Sequence, residues 1–490
     1  MSPHALSPFP GKAVDETAAY LSSKFAVTSN GFLPKEAPLK ELPSYYASWD
    51  ALIRRMPQLL RTGALRETTR ELEVLSTDEL KTESQWRRAY VILGFLAQAY
   101  IWGGCQPAEA LPAAISVPFL RVAEHLELPP VLTYAASNLW NFTCAGAGDF
   151  TDVDAVKSMH TFTGTEDESW FFMISVAMEA QAGRAIPAMV AALETATKQK
   201  TPRDYEALAR ALDDLAVSIG KVGGLLERMY EHCEPDVFYH QIRPFLAGSK
   251  NMEAAGLPRG VLYPEQQDKD GKWTGSWHQW RGGSNGQSSM IQFFDVVLGV
   301  EHTNEGNSRA SPPPTPVLGA STKGQPQAAP PRSYHEEVRD YMPGPHRRFL
   351  VHVSQQGSLR EMAQKLQQQP GGPSDDAQAR FCASYVQATE ALGRLRNKHI
   401  QIVTRYIILP AQRAARELMT MTTTESNDQE TKVPKKQNLA TSSAVKSSQS
   451  HNGGGVAAEE PELRGTGGTT LIPFLKQSRD ETFEAGDLRN

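Results

Sequence analysis

His399 sits inside an apolar stripe. In LGRLRNKHIQIVTRYIILP (Leu392 to Pro410), the residues Leu392, Leu395, His399, Ile402, Val403 and Tyr406 recur at helical spacing and share one face. A helix of this kind must be covered by other elements, and its imidazole must then find a partner, because a buried polar group without one costs free energy. That partner is either a hydrogen-bonding group in a packed core or a metal ion, for which neutral imidazole is the commonest protein ligand. The stripe alone leaves both open.

The rest of the chain supplies the cover. Periodic apolar residues with few strand-like alternations predict helices over 44–62, 79–103, 117–127, 131–142, 169–198, 203–232, 286–300, 334–342, 357–367 and 377–418. The expected fold class is therefore mainly all-α. Pro187 is expected to kink the helix that begins near Ser169, since proline removes a backbone donor and crowds the preceding turn. The stretch Leu257 to Gly286, rich in Gly, Trp and charge, reads as a long irregular loop. Two inserts, at about 303–334 and 420–462, lack apolar periodicity. The first contains SRASPPPTPVLGASTKGQPQAAPPRS (Ser308 to Ser333), with seven prolines, and the second is rich in Ser, Thr and Lys. Both have the composition of flexible segments. The second tethers Gly465 to Thr469 and the apolar Leu471 to Leu475, an arrangement suited to a lid.

Several function classes are excluded by what is missing. With 490 residues and 40% hydrophobic composition the chain can build substantial cores, but a net charge of −5 with interspersed signs gives no basic field for nucleic acid. Cys105, Cys144, Cys233 and Cys382 form no C-x-x-C pair, which argues against a zinc ribbon, a disulfide framework or covalently attached haem. The N-terminal MSPHALSPFPGK shows no secretory pattern, and AYVILGFLAQAYIWGG (Ala89 to Gly104) falls short of the roughly 20 apolar residues that cross a bilayer. A soluble cytoplasmic protein with no membrane partner is expected. Neither GGSNGQSS nor RGTGGT has the context of a nucleotide-phosphate loop, and no H-E-x-x-H or Ser-His-Asp order is present.

Two residue pairs carry chemistry of their own. Phe171 and Ser175 are four residues apart in WFFMISVAM, so they share a helix face as an aromatic surface with one hydroxyl, or as plain core. In DVFYHQIRPFL, Arg243 precedes Pro244, which disfavours α geometry and is expected to let the side chain leave the helical surface. Its guanidinium suits a carboxylate, while Phe238 offers a face to an aromatic ring; a cation at a helix end is the plainer alternative.

LRNKHIQIVTRYIILPA, GGSNGQSSMIQFFDVVLGV (Gly282 to Val300), ELPPVLTYA (Glu127 to Ala135) and RGTGGTTLIPFL (Arg464 to Leu475) resemble, in order and spacing, the indoleamine 2,3-dioxygenase family. The resemblance spans about Tyr90 to Leu475. It implies a smaller mixed N-terminal domain over 1–130 and a large helical haem-binding domain over 131–490. It implies noncovalent haem b with His399 as proximal iron ligand. In that geometry Arg396, one turn earlier, is in reach of a haem propionate, or is a solvated helix charge. It implies a tryptophan pocket of Tyr134, Phe171, Ser175, Phe238, Arg243, Gly283, Ser284 and Thr466, with Ser284 also against the haem and Thr466 on a closing loop. No residue is implied as acid or base. The expected reaction inserts both atoms of O2 into the indole 2,3 double bond of L-tryptophan to give N-formylkynurenine, on the kynurenine route towards NAD. An external reductant keeps the iron ferrous, and the chain is expected to be a monomer. The alternative is a haem protein of the same fold that binds O2 with little tryptophan turnover. Asn285 departs from the family pattern, where a small apolar residue, commonly alanine, is expected; an amide makes that wall more polar. Ser137, where cysteine also occurs in relatives, is a milder change.

Overall fold

In the computed structural model, residues 11–146, 148–199, 201–303, 332–424, 436–441, 463–467 and 470–489 are described. Helices dominate, and among these residues the strands form two antiparallel pairs, Phe142–Cys144 with Val156–Ser158 and Val261–Gln267 with Trp273–His278. Among the described residues the longest helix is the one that carries the imidazole, Asp376–Val403. Asp375 caps it, accepting a hydrogen bond from the Gln378 backbone N–H at 2.8 Å. It packs most extensively against Pro202–Glu227 and against the C-terminal helix Leu471–Gly486. Leu392, Leu395, Ile402, Val403 and Tyr406 are all buried, as the stripe requires. Buried apolar side chains from Leu21 to Leu488 belong to one continuous cluster, which crosses the expected boundary at residue 130. Buried hydrogen bonds cross it too: Gln98 Nε2 donates to the Phe245 and Ala247 carbonyls at 2.9 and 2.8 Å.

Several local expectations are corrected. Pro187 does not kink a helix. The helix Glu166–Gly183 ends, and Pro187 is the second residue of a new one, Ile186–Gln199, where its missing N–H would have had no intrahelical partner. The break is fixed by close approach, since a Cβ on Gly183 would lie 2.0 Å from the backbone nitrogen of Gly31. Leu257 to Gly286 is not an irregular loop: it contains the Val261–Gln267 and Trp273–His278 hairpin, closed by a turn in which Asp268 Oδ1 accepts from the Asp270 and Lys272 backbone N–H groups. The helix expected over 131–142 shrinks to one π-helical turn, Ala135–Leu139, before the Phe142–Cys144 strand. Helices also form at Gly11–Phe25, Gly344–Ser354 and Leu471–Gly486, where none was expected.

Most of both inserts lies outside the described residues, but their edges are informative. Ser333 is not part of a structureless stretch; it caps Tyr334–Glu337 in a capping box with Glu336. In the second insert Leu439 and Ala440 are buried, and the Gln437 backbone N–H donates to the Cys105 carbonyl at 2.8 Å. Two apolar residues in a polar stretch are too few for periodicity to reveal. No helix among the described residues is long and apolar enough to cross a membrane.

Candidate active site

One apolar cavity, with about 1850 Å³ of empty space including its mouth, lies between the Asp376–Val403 and Glu166–Gly183 helices and the Gly-rich segment after the hairpin. All ten residues expected at the haem or tryptophan line it, as do Asn285 and Ser137. The elements that bring them together include three π-helical turns, Ala135–Leu139, Phe238–Ile242 and Thr404–Ile408, each of which contributes to the wall. A π-turn inserts one extra residue and so rotates the following side chains off the regular face.

Among the described residues two imidazoles face the cavity, His335 and His399. His335 Nε2 is 3.3 Å from the Ser478 hydroxyl and its ring stacks on His302 at 3.8 Å between centroids. His399 differs. Among the described residues nothing hydrogen-bonds its ring, and burial, with a smaller contribution from Arg396, pushes its pKa down to about 4. It is therefore a neutral, half-buried imidazole with a free lone pair facing apolar space. A neutral imidazole of this kind can ligate haem iron, and the apolar walls suit a porphyrin, so the site fits the group. The acceptor that would fix the other ring nitrogen is not supplied by the described residues.

Arg243 is fully buried, and the route by which it reaches the cavity is not the expected one. Its backbone stays helical at φ −53° and ψ −38° despite Pro244. The preceding π-turn, rather than an extended backbone, carries it off the helical face. Its Nη2 donates to the Arg464 carbonyl, whereas Nε and Nη1 have no partner among the described residues. Burial lowers its pKa to about 10, so it remains a cation at neutral pH. Beside it Phe238 lies 4.9 Å from Phe171, ring centre to ring centre, and 5.8 Å from Tyr406. Ser175 is buried on the Phe171 helix.

The glycine-rich wall is held by backbone contact. A Cβ on Gly282 would lie 2.0 Å from the Leu246 carbonyl oxygen, so the segment that presents Gly283, Ser284 and Asn285 packs directly against the end of the Arg243 turn. Ser284 Oγ is 3.1 Å from the Tyr334 hydroxyl. Thr466 Oγ1 donates to the Gly283 carbonyl at 2.8 Å, and Arg281 Nη1 donates to the Gly467 carbonyl. Residues 463–467 are thus fastened across the cavity; 468 and 469 lie outside the described residues.

Arg396 is corrected in its partner. It lines the cavity, but Nη2 holds both carboxylate oxygens of Asp295 at 2.7 and 2.8 Å, and Nη1 donates to the Ser478 carbonyl and the Thr482 hydroxyl. That guanidinium is occupied by protein rather than left for a propionate. Asp295 is fully surrounded; burial works to raise its pKa, but Arg396 and then His302 more than offset this and hold it ionised. Tyr134 is also more constrained than expected. Its hydroxyl donates to Glu179 Oε1 at 3.0 Å, and Ser288 Oγ donates to the same oxygen at 2.6 Å. Asp295, His335 and Glu179 were missed from the sequence. The signal for Asp295 and Glu179 was there, an acid inside an apolar helical run that must find a partner.

Burial raises Glu179 to a pKa of about 7, against smaller lowering by the Ser288 and Tyr134 hydrogen bonds. A raised acid binds more protons folded than unfolded, so its stabilising contribution is full below about pH 4.5 and is lost as pH rises through about 7. Glu179→Gln keeps an acceptor for both hydroxyls and removes this titration. Its thermal stability relative to wild type should therefore rise between pH 5 and pH 8, by on the order of 3 kcal/mol at most. A pH-independent difference between the two melting curves would rule out ionisation of Glu179 in this range.

The sequence matches the indoleamine 2,3-dioxygenase family over residues 21–485. It is 35% identical over 463 residues to indoleamine 2,3-dioxygenase nanC of Aspergillus nanangensis, covering 93% of this chain and 94% of that one. It is 35% identical over 470 residues to indoleamine 2,3-dioxygenase of Saccharomyces cerevisiae, covering 94% and 92%. It is 32% identical over 461 residues to 6-hydroxytryptophan 2,3-dioxygenase fscD of Fusarium equiseti, covering 93% and 95%. With the matched region reaching from the first core helix to the last, the chain belongs to the indoleamine 2,3-dioxygenase family of haem b-dependent dioxygenases.

Proposed function

We propose that this protein oxidises L-tryptophan to N-formylkynurenine, cleaving the indole 2,3 double bond with both atoms of O2 and so feeding the kynurenine route towards NAD. The observation that carries the reading is Arg243, a buried cation with two N–H donors unpartnered among the described residues, set beside an aromatic wall. Such a pair recognises an amino acid with an aromatic side chain. Bound haem supplies the iron chemistry that activates O2. The protein's part is to hold that group through His399, to clamp the substrate carboxylate with Arg243, and to hold the ring against Tyr134, Phe171 and Phe238. The Arg464–Gly467 segment, fastened to Gly283, excludes water. No side chain is needed as acid or base, because both oxygen atoms end in the product; catalysis rests on positioning. The reading includes an external reductant, a monomeric chain and a cytosolic setting. Anaerobic reduction of the purified holoprotein, then addition of O2 and L-tryptophan, should give N-formylkynurenine absorbance, and absence of that product overturns the reading in favour of simple O2 binding.

Asn285 favours a second reading, a ring-hydroxylated tryptophan. Its amide lines the cavity without a side-chain partner among the described residues, and one relative is named for 6-hydroxytryptophan. A neutral hydrogen bond contributes about 0.5 to 1.5 kcal/mol, so Asn285→Ala should lower kcat/KM for 6-hydroxytryptophan relative to tryptophan by about two- to tenfold. An unchanged ratio would assign Asn285 no part in substrate choice.

A further inference from the structure

Beside the cavity, behind the wall formed by His335 and Arg396, the Ser289–Leu298 helix, the segment that follows it, the Tyr334–Glu337 turn and the C-terminal helix bring four titratable groups together. One ligand atom each from Asp295, His302 and His335 lies within 4.8 Å of the others. We propose that these three residues bind a divalent transition metal ion of the zinc type, separate from the haem iron, with Glu481 and Ser478 orienting the two imidazoles.

The argument rests on how the outer atoms are occupied. A metal-bound histidine characteristically gives its second ring nitrogen to a carboxylate or another fixed acceptor. His302 Nδ1 is 2.6 Å from Glu481 Oε2, which leaves Nε2 turned inward, 3.2 Å from Asp295 Oδ2. Donors around a tetrahedral zinc are themselves roughly 3.3 Å apart, given bonds of about 2.0 Å, so this pair already has the required spacing. His335 likewise has one nitrogen on the Ser478 hydroxyl. The His302 and Asp295 side chains are each 6% exposed. Two imidazoles with one carboxylate select a borderline cation over calcium or magnesium, and leave room for a water as fourth ligand. Asp295 and Glu481 carry two negative charges against the positive charges of Arg396 and Arg339, so binding a dication requires both imidazoles to be neutral. Without the ion, a proton on His302 fills the same role and joins Asp295 to Glu481; metal uptake therefore releases a proton. Arg396 stays as the outer partner of the ligating carboxylate.

The test uses the purified holoprotein exposed to zinc and then freed of loose metal by gel filtration. Mass-spectrometric metal analysis should give one zinc beside each haem iron, and zinc-edge X-ray absorption should show two imidazole ligands. His302→Ala should lose the zinc while keeping the Soret band. Glu481→Gln, which alters only an orienting group, should weaken zinc affinity by about 10- to 100-fold. If His302→Ala fails to fold, His335→Gln serves the same purpose, and the absorption measurement needs no variant. Wild-type protein with no zinc retained, or equal zinc in wild type, His302→Ala and His335→Gln, would show the cluster to be an ion-pair network only and overturn the proposal.

Discussion

His399→Ala is expected to purify without stoichiometric haem. The substitution removes the one cavity-facing imidazole whose ring has no hydrogen-bonding partner among the described residues, and with it the axial bond to iron. The loss should not be a folding defect. Alanine is the better helix former, the position is half-buried, and no protein hydrogen bond to the ring is lost. Far-ultraviolet circular dichroism should therefore match wild type while the Soret band is missing. Free imidazole added to the variant should restore part of that band, because the cavity left by the side chain admits the missing ligand; rescue separates ligation from general damage to the pocket. A wild-type-like, stoichiometric Soret band in His399→Ala would place the iron ligand elsewhere, with His335 the next residue to test.

The stripe that holds His399 was readable because helical periodicity reports directly on which side chains share a face, and the observed burial of Leu392, Leu395 and Tyr406 follows it. What periodicity does not report is a change of backbone register. The π-turns at Ala135–Leu139, Phe238–Ile242 and Thr404–Ile408 leave no mark in residue type, yet they aim much of the cavity wall. Arg243 lines the cavity on a helical backbone, not on the extended one that Pro244 suggests, and the preceding π-turn does the turning. The same limit explains the hairpin at Val261–Gln267. Pro264 interrupts one strand at a register shift, and the Trp273–His278 strand is largely exposed, so no clean apolar alternation was there to read. Partners were least legible of all. Nothing local in LRNKH says that Arg396 pairs with Asp295, which lies 101 residues away. The family resemblance placed Arg396 at the cavity, and only the fold supplied the carboxylate that occupies it.

Arg243→Ala should lower kcat/KM for L-tryptophan by about ten- to a hundredfold, since a charge-assisted hydrogen-bonded pair in a buried site is worth on the order of 1.5 to 3 kcal/mol. The haem spectrum should stay normal, because Arg243 makes no contact with His399 or its helix neighbours in the hydrogen-bond pattern described. Most of the loss should fall on KM, the carboxylate being remote from the reacting ring, with a share in kcat where the clamp also orients the indole. The structure adds a complication that the variant series can resolve. Nη2 of Arg243 also donates to the Arg464 carbonyl, so alanine removes a tether of the covering segment as well as the clamp. Arg243→Lys keeps a cation and one donor for Arg464 but cannot present two parallel N–H groups to a carboxylate. If the clamp dominates, lysine should behave nearly as badly as alanine with tryptophan, and simple indole, which lacks the carboxylate, should be turned over by all three proteins at similar rates. If closure of the segment dominates, lysine should recover most of the activity and indole turnover should fall with alanine. Unchanged kcat/KM for tryptophan in Arg243→Ala would remove the carboxylate clamp altogether, and with it the main reason for preferring an amino acid substrate over O2 binding alone.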